Sequence, residues 1–155
     1  MDTLDLPAAD YLPHKPPMLF VQRLRAISAN SVTCETTLDK PTFAPFANNN
    51  TLPSALLMEI MAQTIGVWSG WQCRAAQKPI QPGLILGCRD FLTSTATLHL
   101  DTRIRSTARI IFQDEDTATF ENTIEKIPSE KIATALLTTR RISWHDLETL
   151  LTPPK

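Results

Sequence analysis

One acidic side chain stands alone in the most apolar part of the sequence. Glu59 is the only charged residue between Lys40 and Arg74, and its neighbours are almost all aliphatic, aromatic or small. A carboxylate is costly to remove from water unless it is paired, neutralised or used in chemistry. A lone acid in such a place is typical of a functional site, where it can donate or accept a proton. Glu59 is therefore the first candidate for a catalytic residue.

Helical periodicity places a second polar side chain beside Glu59. At about 3.6 residues per turn, Ala55, Glu59, Gln63, Gly66 and Gly70 fall on one narrow stripe. Gln63 lies one turn after Glu59, so its amide can donate a hydrogen bond to the carboxylate and orient it. The glycines allow another backbone to approach closely. The alternative is a solvated stripe, but such a stripe normally carries several charges, and a functional carboxylate is favoured.

The elements predicted around this site are one long helix and a series of strands. The helix is expected at 53–77, because proline suits a first helical position and Pro79 ends the pattern. Residues 41–52 should form a loop. A capping box at Ser143 predicts a short helix at 144–151. Strands are expected at 18–27, 31–39, 84–92, 96–100, 103–113, 117–126 and 131–142.

The long helix is apolar nearly all round and needs cover on most sides. A curved antiparallel sheet wrapped around one central helix, which is the α+β architecture of the hotdog fold, provides that cover. Such a sheet encloses only one side of the helix, so the open flank predicts a partner subunit. We expect a single hotdog domain over residues 1–155.

Composition narrows the class of protein. The formal net charge of -1 gives no reason to expect a nucleic acid or an anionic membrane as partner. The three cysteines form no CxxC pair and no zinc set, so no metal is expected. The N-terminal segment lacks the pattern of a signal peptide, and the apolar helix is too interrupted by polar residues for a membrane span. We expect a soluble, cytoplasmic protein.

Two sequence motifs resemble a known family. The segment PSALLMEIMAQ (53–63) is similar to the P-G-x-L-x-x-E-x-M-A-Q helix of the hotdog 3-hydroxyacyl-ACP dehydratases of the FabA/FabZ type. The segment LPHKPPMLFVQR (12–23) resembles the L-P-H-R-x-P-x-L-L-V-D-R motif of the same family. The motifs stand in the family's order and at about its spacing. The greatest resemblance is to the branch linked to bacterial aryl-polyene pigment clusters.

The resemblance implies removal of water from a 3-hydroxyacyl thioester carried on acyl carrier protein, with no cofactor beyond the carrier's phosphopantetheine. It assigns Glu59 as the acid that protonates the departing hydroxyl and Gln63 as its orienting partner. Ser54 and Ala55 at the helix start would be the oxyanion and substrate-binding positions, where free N–H groups and the helix dipole stabilise a developing enolate. Burial would favour the protonated form of the acid.

The resemblance also implies an acyl tunnel lined by the strand after the helix. Gly87 and Phe91 lie on that strand and are the candidate lining residues. Ordinary packing of these two residues within the strand is the alternative interpretation.

One departure from the family affects the catalytic base. The family places a histidine in an H-F-P motif before the helix, and this chain has Pro45-Phe46-Ala47 there. Only His14, His99 and His145 exist in the sequence. His145 is expected on the surface, and His99 is expected to face away from the core. His14, in a proline-stiffened loop, is the best replacement for the base.

Three functions therefore stay open. The first is an active dehydratase with His14 and Glu59 as its catalytic pair. The second is a non-catalytic subunit that binds an acyl chain or pairs with an active dehydratase. The third is an acyl thioesterase, because the hotdog fold can also use a helix acid to activate water. The partner subunit can be a second copy of the chain or a different hotdog chain.

Overall fold

The structure, a computed structural model, describes residues 3–155. Met1 and Asp2, in the segment where no signal peptide is expected, lie outside the described residues. The helices are α1 (Lys40–Phe43), α2 (Leu56–Ala75) and α3 (Trp144–Leu151), with 3₁₀ turns at Ala8–Tyr11 and Ala44–Phe46. The strands are β1 (Leu6–Pro7), β2 (Arg23–Ile27), β3 (Ser31–Thr37), β4 (Thr51–Pro53), β5 (Gly83–Thr93), β6 (Thr97–His99), β7 (Arg103–Asp114), β8 (Thr117–Lys126) and β9 (Glu130–Arg141).

The strands form one large antiparallel sheet around the long helix. The order is β1-β2-β3-β7-β8-β9-β5, and β4 and β6 form a separate two-stranded sheet. Helix α2, with 20 residues, packs against β3, β7, β8, β9 and β5. Its buried residues include Leu57, Ile60, Met61, Val67 and Trp68, which join the inward side chains of the strands in one core. This arrangement confirms the predicted α+β hotdog fold.

The start of α2 differs from the prediction. Pro53 lies in β4, where it pairs with Thr97, and the helix begins at Leu56 after the cap residue Ala55. A proline tolerates the edge position of a short ladder as well as it tolerates a first helical turn. Pro53 is therefore compatible with either a strand edge or a first helical turn. Its pairing with Thr97, from later in the chain, selects the strand.

Two loop regions also differ from the prediction. Residues 18–22 are not part of a strand, because the backbone N–H groups of Phe20 and Val21 donate to the side chain of Gln63 instead of to a neighbouring strand. The expected loop at 41–52 contains α1, whose first turn is capped by the Asp39 carboxylate accepting from the Thr42 N–H at 2.9 Å.

One edge of the large sheet is the unpaired side of β5. Ile85, Leu86 and Leu92 on this strand are 44%, 56% and 65% exposed. An unpaired strand edge with exposed apolar side chains is typical of a surface that meets another chain. In the part of the chain that the structure describes, no helix is long and apolar enough to cross a membrane.

Candidate active site

Glu59 and His14 face one another at a small cavity beside α2. The His14 Nε2 atom lies 3.7 Å from the Glu59 Oε1 atom, and both side chains line a cavity of about 170 Å³. Their side chains are 34% and 36% exposed. The expectation of a buried Glu59 is therefore wrong for the single chain, because the sheet leaves this flank of the helix uncovered. An acid and a base can both reach a molecule placed in this cavity.

The predicted partner of Glu59 is present. Gln63 is fully buried, and its Nε2 atom donates to Glu59 Oε1 at 2.9 Å and to the Met18 carbonyl at 2.7 Å. Its Oε1 atom accepts from the N–H groups of Phe20 (2.9 Å) and Val21 (3.2 Å). The amide thus uses both of its N–H donors and both lone pairs of its oxygen. A flipped amide would place its oxygen against two oxygen atoms and its NH₂ group against two N–H groups. Gln63 fixes the carboxylate and the proline-rich loop at once.

The segment that carries His14 is held against α2 at its glycines. A Cβ atom on Gly70 would lie 1.8 Å from the Tyr11 carbonyl oxygen, so the backbones touch at this point as the stripe predicts. A Cβ atom on Gly66 would lie 2.8 Å from the Leu12 Cδ2 atom. His14 follows two residues later. Its Nδ1 atom is buried and has no hydrogen-bond partner among residues 3–155, so only the Nε2 side of the ring faces a polar group.

The start of α2 offers backbone donors, but not from Ser54. The Ser54 N–H donates to the Ala96 carbonyl at 2.9 Å, and its hydroxyl lies 3.5 Å from Thr93 Oγ1. The prediction that the Ser54 N–H acts as oxyanion donor is therefore contradicted by this contact. The N–H groups of Ala55 and Leu56 donate to no acceptor among the described residues. The free N–H donors at the positive end of the helix dipole are therefore those one and two residues after Ser54.

The predicted tunnel residues do not line this cavity. Gly87 is exposed on β5, and Phe91 packs partly against the core. The part of β5 that does line the cavity is its start, Gly83 to Ile85. A register shift between Ile85 and Gly87 displaces the following residues from this alignment.

The other histidines lie away from Glu59. His99 is exposed in β6 opposite Thr51, and His145 is exposed on α3, as expected. The segment where the family has its H-F-P histidine forms the 3₁₀ turn, in which Phe46 packs edge-on against Phe20 with ring centroids 5.3 Å apart. Across residues 3–155, no group of three or more metal-ligating side chains converges on a point.

Arg141 is a further residue that lines this cavity. It lies at the end of β9, and its side chain turns inward to α2, where Nε donates to Ser69 Oγ (3.0 Å) and Nη2 to Gln72 Oε1 (3.2 Å). The signal for this orientation is the strand alternation, since Ala135 and Leu137 face the core and Arg141 has the same parity.

The fold and these contacts define a hotdog protein with a helix carboxylate, a loop histidine and free N–H groups at the helix start. The pattern of the ApeP-like family, described as ApeP dehydratase, matches residues 6–152. The chain therefore belongs to the ApeP-like dehydratase family.

Individual relatives agree with this assignment. A chain of the dehydratase heterocomplex ApeI:P from Xenorhabdus doucetiae is 29% identical, with a TM-score of 0.87, over 96% of this chain and 99% of that chain. The 3-hydroxyacyl-[acyl-carrier-protein] dehydratase FabZ of Streptococcus thermophilus is 38% identical over 69 residues, 42% of this chain. The matched region spans 49% of that relative, about half of its length.

A more distant structure shares the fold alone. A hypothetical thioesterase from Streptococcus pneumoniae, solved with coenzyme A, is 12% identical with a TM-score of 0.60, over 77% of this chain and 84% of that chain. Similarity at this level carries no information about the reaction.

Proposed function

We propose that the protein dehydrates 3-hydroxyacyl thioesters on acyl carrier protein to trans-2-enoyl thioesters, in an aryl-polyene or related polyketide or fatty-acid-type synthesis. The observation that carries this proposal is the placement of His14 and Glu59, 3.7 Å apart, on one cavity beside α2. Membership of the ApeP-like dehydratase family and similarity to a FabZ dehydratase support the same reaction.

In the proposed reaction, the thioester carbonyl oxygen accepts hydrogen bonds from the Ala55 and Leu56 N–H groups. These donors stabilise the negative charge that develops on that oxygen when the proton at C2 is removed. His14 Nε2 takes the C2 proton, and the electron pair of the C–H bond forms the C2–C3 double bond. The C3–O bond breaks, and the protonated Glu59 carboxyl group gives its proton to the departing hydroxyl, which leaves as water.

The same pair can reset itself after turnover. The elimination leaves a proton on His14 and a negative charge on Glu59, and these charges attract each other across 3.7 Å. Return of the proton from the imidazolium to the carboxylate through one bridging water restores both groups. No oxidant, reductant, metal or further cofactor enters this balance, and the acyl group stays on the phosphopantetheine of the carrier protein. We infer a cytoplasmic location, where that carrier would be met.

We also infer that the chain works in a dimer, homomeric or with another hotdog chain, through the exposed edge of β5. The apolar side chains on that edge and the open flank beside Glu59 support the inference. A second function, a non-catalytic subunit that pairs with an active dehydratase, is favoured by one observation. The turn at Ala44–Phe46 carries no titratable side chain where the family has its catalytic histidine.

The test is turnover of a 3-hydroxyacyl-ACP by the purified protein. We expect the wild type to form the enoyl product and Glu59→Gln to lower kcat by about 10²-fold or more, because the amide cannot protonate the leaving hydroxyl. The matched control is Glu121→Gln, which changes an exposed acid paired with Arg109 on the outer face of the sheet.

Each other outcome has a distinct meaning. No enoyl product from the wild type, alone or with a partner dehydratase, would reject the reaction. Product only in the presence of a partner, with unchanged rate in Glu59→Gln, would assign the chain as the non-catalytic subunit. Release of free acid would assign a thioesterase.

A further inference from the structure

A second, larger cavity adjoins the cavity of Glu59 and His14. It has a volume of about 690 Å³ and lies along the C-terminal half of α2, between β9, the start of β5 and α3. The two cavities share four lining residues, Gln81, Leu84, Arg140 and Arg141. A chain that enters at Glu59 can therefore continue beside the helix into the larger space.

The proposed function fixes the direction of such a chain. The thioester carbonyl lies at the start of α2, and C3 lies at Glu59, one helical turn further on. The rest of the acyl chain then points toward the C-terminal end of the helix. The helix lines the cavity with Ala62, Ile65, Gly66 and Ser69, and the small side chains of Ala62 and Ser69 leave room for an alkyl chain. Ser69 is ten residues after Glu59, about 15 Å along the helix axis.

Arg141 stands where the two cavities meet, so an acyl chain that extends from Glu59 to Ser69 ends beside it. Its guanidinium contacts Ser69 and Gln72, and its side chain lines both cavities. It forms no ion pair with any carboxylate among residues 3–155. A guanidinium carries more N–H donors than these contacts use. Asp116 and Asp146 also line the larger cavity, but neither forms an ion pair with this half-buried guanidinium.

We propose that Arg141 is a specificity-determining residue that binds an oxygen atom at the distal end of the acyl chain. The preferred substrate is then a chain that ends in a hydroxyl or carboxylate oxygen, rather than in a methyl group. A methyl end would exclude water from the free N–H groups of Arg141 without offering them an acceptor, and this would weaken binding. This inference rests on the proposed function for the direction of the chain.

The experiment compares matched acyl chains of increasing length, from octanoyl to tetradecanoyl, each with a methyl end or an ω-hydroxyl end; ω-carboxyl chains form a further arm. Binding is measured with thioesters that lack the 3-hydroxyl group, so that no turnover is needed. We expect the wild type to bind the ω-hydroxyl chain about tenfold more tightly at one or more lengths, as one charge-assisted hydrogen bond allows. The kcat/KM values of the corresponding 3-hydroxyacyl-ACP substrates should show the same preference.

Variants assign the preference to Arg141. Arg141→Met should remove it and leave binding of methyl-ended chains equal or tighter, and Arg141→Lys should retain part of it. Arg109→Met, the same change at an exposed arginine outside both cavities, should retain all of it.

Two outcomes would overturn the inference. One is equal affinity for both ends at every length in the wild type, which needs no variant to fold. The other is a preference that survives in Arg141→Met. If one of these two outcomes is found and the protein still dehydrates its substrate, only the inference about Arg141 is rejected. If no enoyl product forms but the wild type still prefers the ω-hydroxyl chain, only the proposed dehydration is rejected.

Discussion

The side-chain amide of Gln63 donates a 2.9 Å hydrogen bond to the Glu59 carboxylate from one helical turn away. The same amide binds the backbone of Met18, Phe20 and Val21, in the segment that follows the proline-rich loop. The position of the acid on the helix and the path of the loop that carries His14 are therefore set by one buried group.

Replacement of Gln63 should affect the chemical step more than substrate binding. Gln63→Glu keeps an acceptor for the Phe20 and Val21 N–H groups but loses the donors to Glu59 and Met18, and it adds a like charge beside the carboxylate. We expect kcat to fall by about tenfold to 10²-fold with a smaller change in KM, as for other groups that orient a catalytic residue. Steady-state kinetics on 3-hydroxyacyl-ACP measures this split.

The control for that variant is Gln113→Glu, the same change at an exposed position at the end of β7. An unchanged kcat in a folded Gln63→Glu protein would show that orientation of Glu59 by Gln63 does not matter for the reaction.

His14 should be required for proton removal, whereas His99 should not. His14→Ala is expected to lower kcat by about 10²-fold or more, because no other described histidine lines the cavity of Glu59. His99→Ala changes an exposed histidine on β6 and should retain wild-type kinetics. Full activity in a folded His14→Ala protein would show that His14 is not the base.

The two glycines of α2 should differ sharply in their tolerance of alanine. Gly70→Ala places a Cβ atom 1.8 Å from the backbone oxygen of Tyr11, which cannot move without shifting the whole N-terminal turn. We expect a loss of about 3 kcal/mol in the free energy of unfolding, at the upper end for overpacking. Chemical denaturation measures it.

Gly66→Ala is the matched comparison, because its Cβ atom meets only the end of the flexible Leu12 side chain at 2.8 Å. Alanine is favoured over glycine inside a helix by about 1 kcal/mol, and this gain offsets the free-energy cost of moving the Leu12 side chain. We therefore expect little change in the free energy of unfolding of Gly66→Ala. Equal stability of the two variants would contradict the close backbone approach at Gly70.

Stability at low pH should depend on Glu35. Burial alone would raise the pKa of its carboxyl group, but hydrogen bonds from Arg105 (3.0 Å) and Arg25 (3.1 Å) outweigh burial and hold the pKa below the ordinary 4.5. A lowered folded-state pKa contributes stability above the unfolded-state pKa, and this contribution is lost as the pH falls through the folded-state pKa.

The wild type should therefore lose more free energy of unfolding than Glu35→Gln between about pH 7 and about pH 3. Glu121→Gln, which removes an exposed ion pair, should follow the wild-type curve more closely. Identical pH curves for the wild type and Glu35→Gln would show that the arginine contacts do not stabilise the folded chain.

The fold was predictable from local patterns. The structure confirms β8 and α3 at their predicted bounds, because hydrophobic alternation and the Ser143 cap are signals within a few residues. The long apolar helix followed by strands was also sufficient to predict the hotdog arrangement. The Glu59–Gln63 contact followed from helix spacing alone.

Contacts between distant parts of the chain could not be predicted from the sequence. The bond from the Ser54 N–H to the Ala96 carbonyl, which removes Ser54 as a donor, depends on the β4–β6 pairing. The exposure of Glu59 depends on where the sheet ends. The inward turn of Arg141 depends on Ser69 and Gln72 standing opposite the end of β9.

The unpaired edge of β5 has a consequence for how the protein must be handled by a cell. An extended strand with Ile85, Leu86 and Leu92 exposed and its outer hydrogen-bonding groups free is a template on which other unfolded strands can add. A newly made chain is therefore at risk of aggregation until this edge is covered, at a rate that rises with concentration. Rapid pairing through this edge, as we propose, would protect the protein by shortening the time for which the edge is exposed.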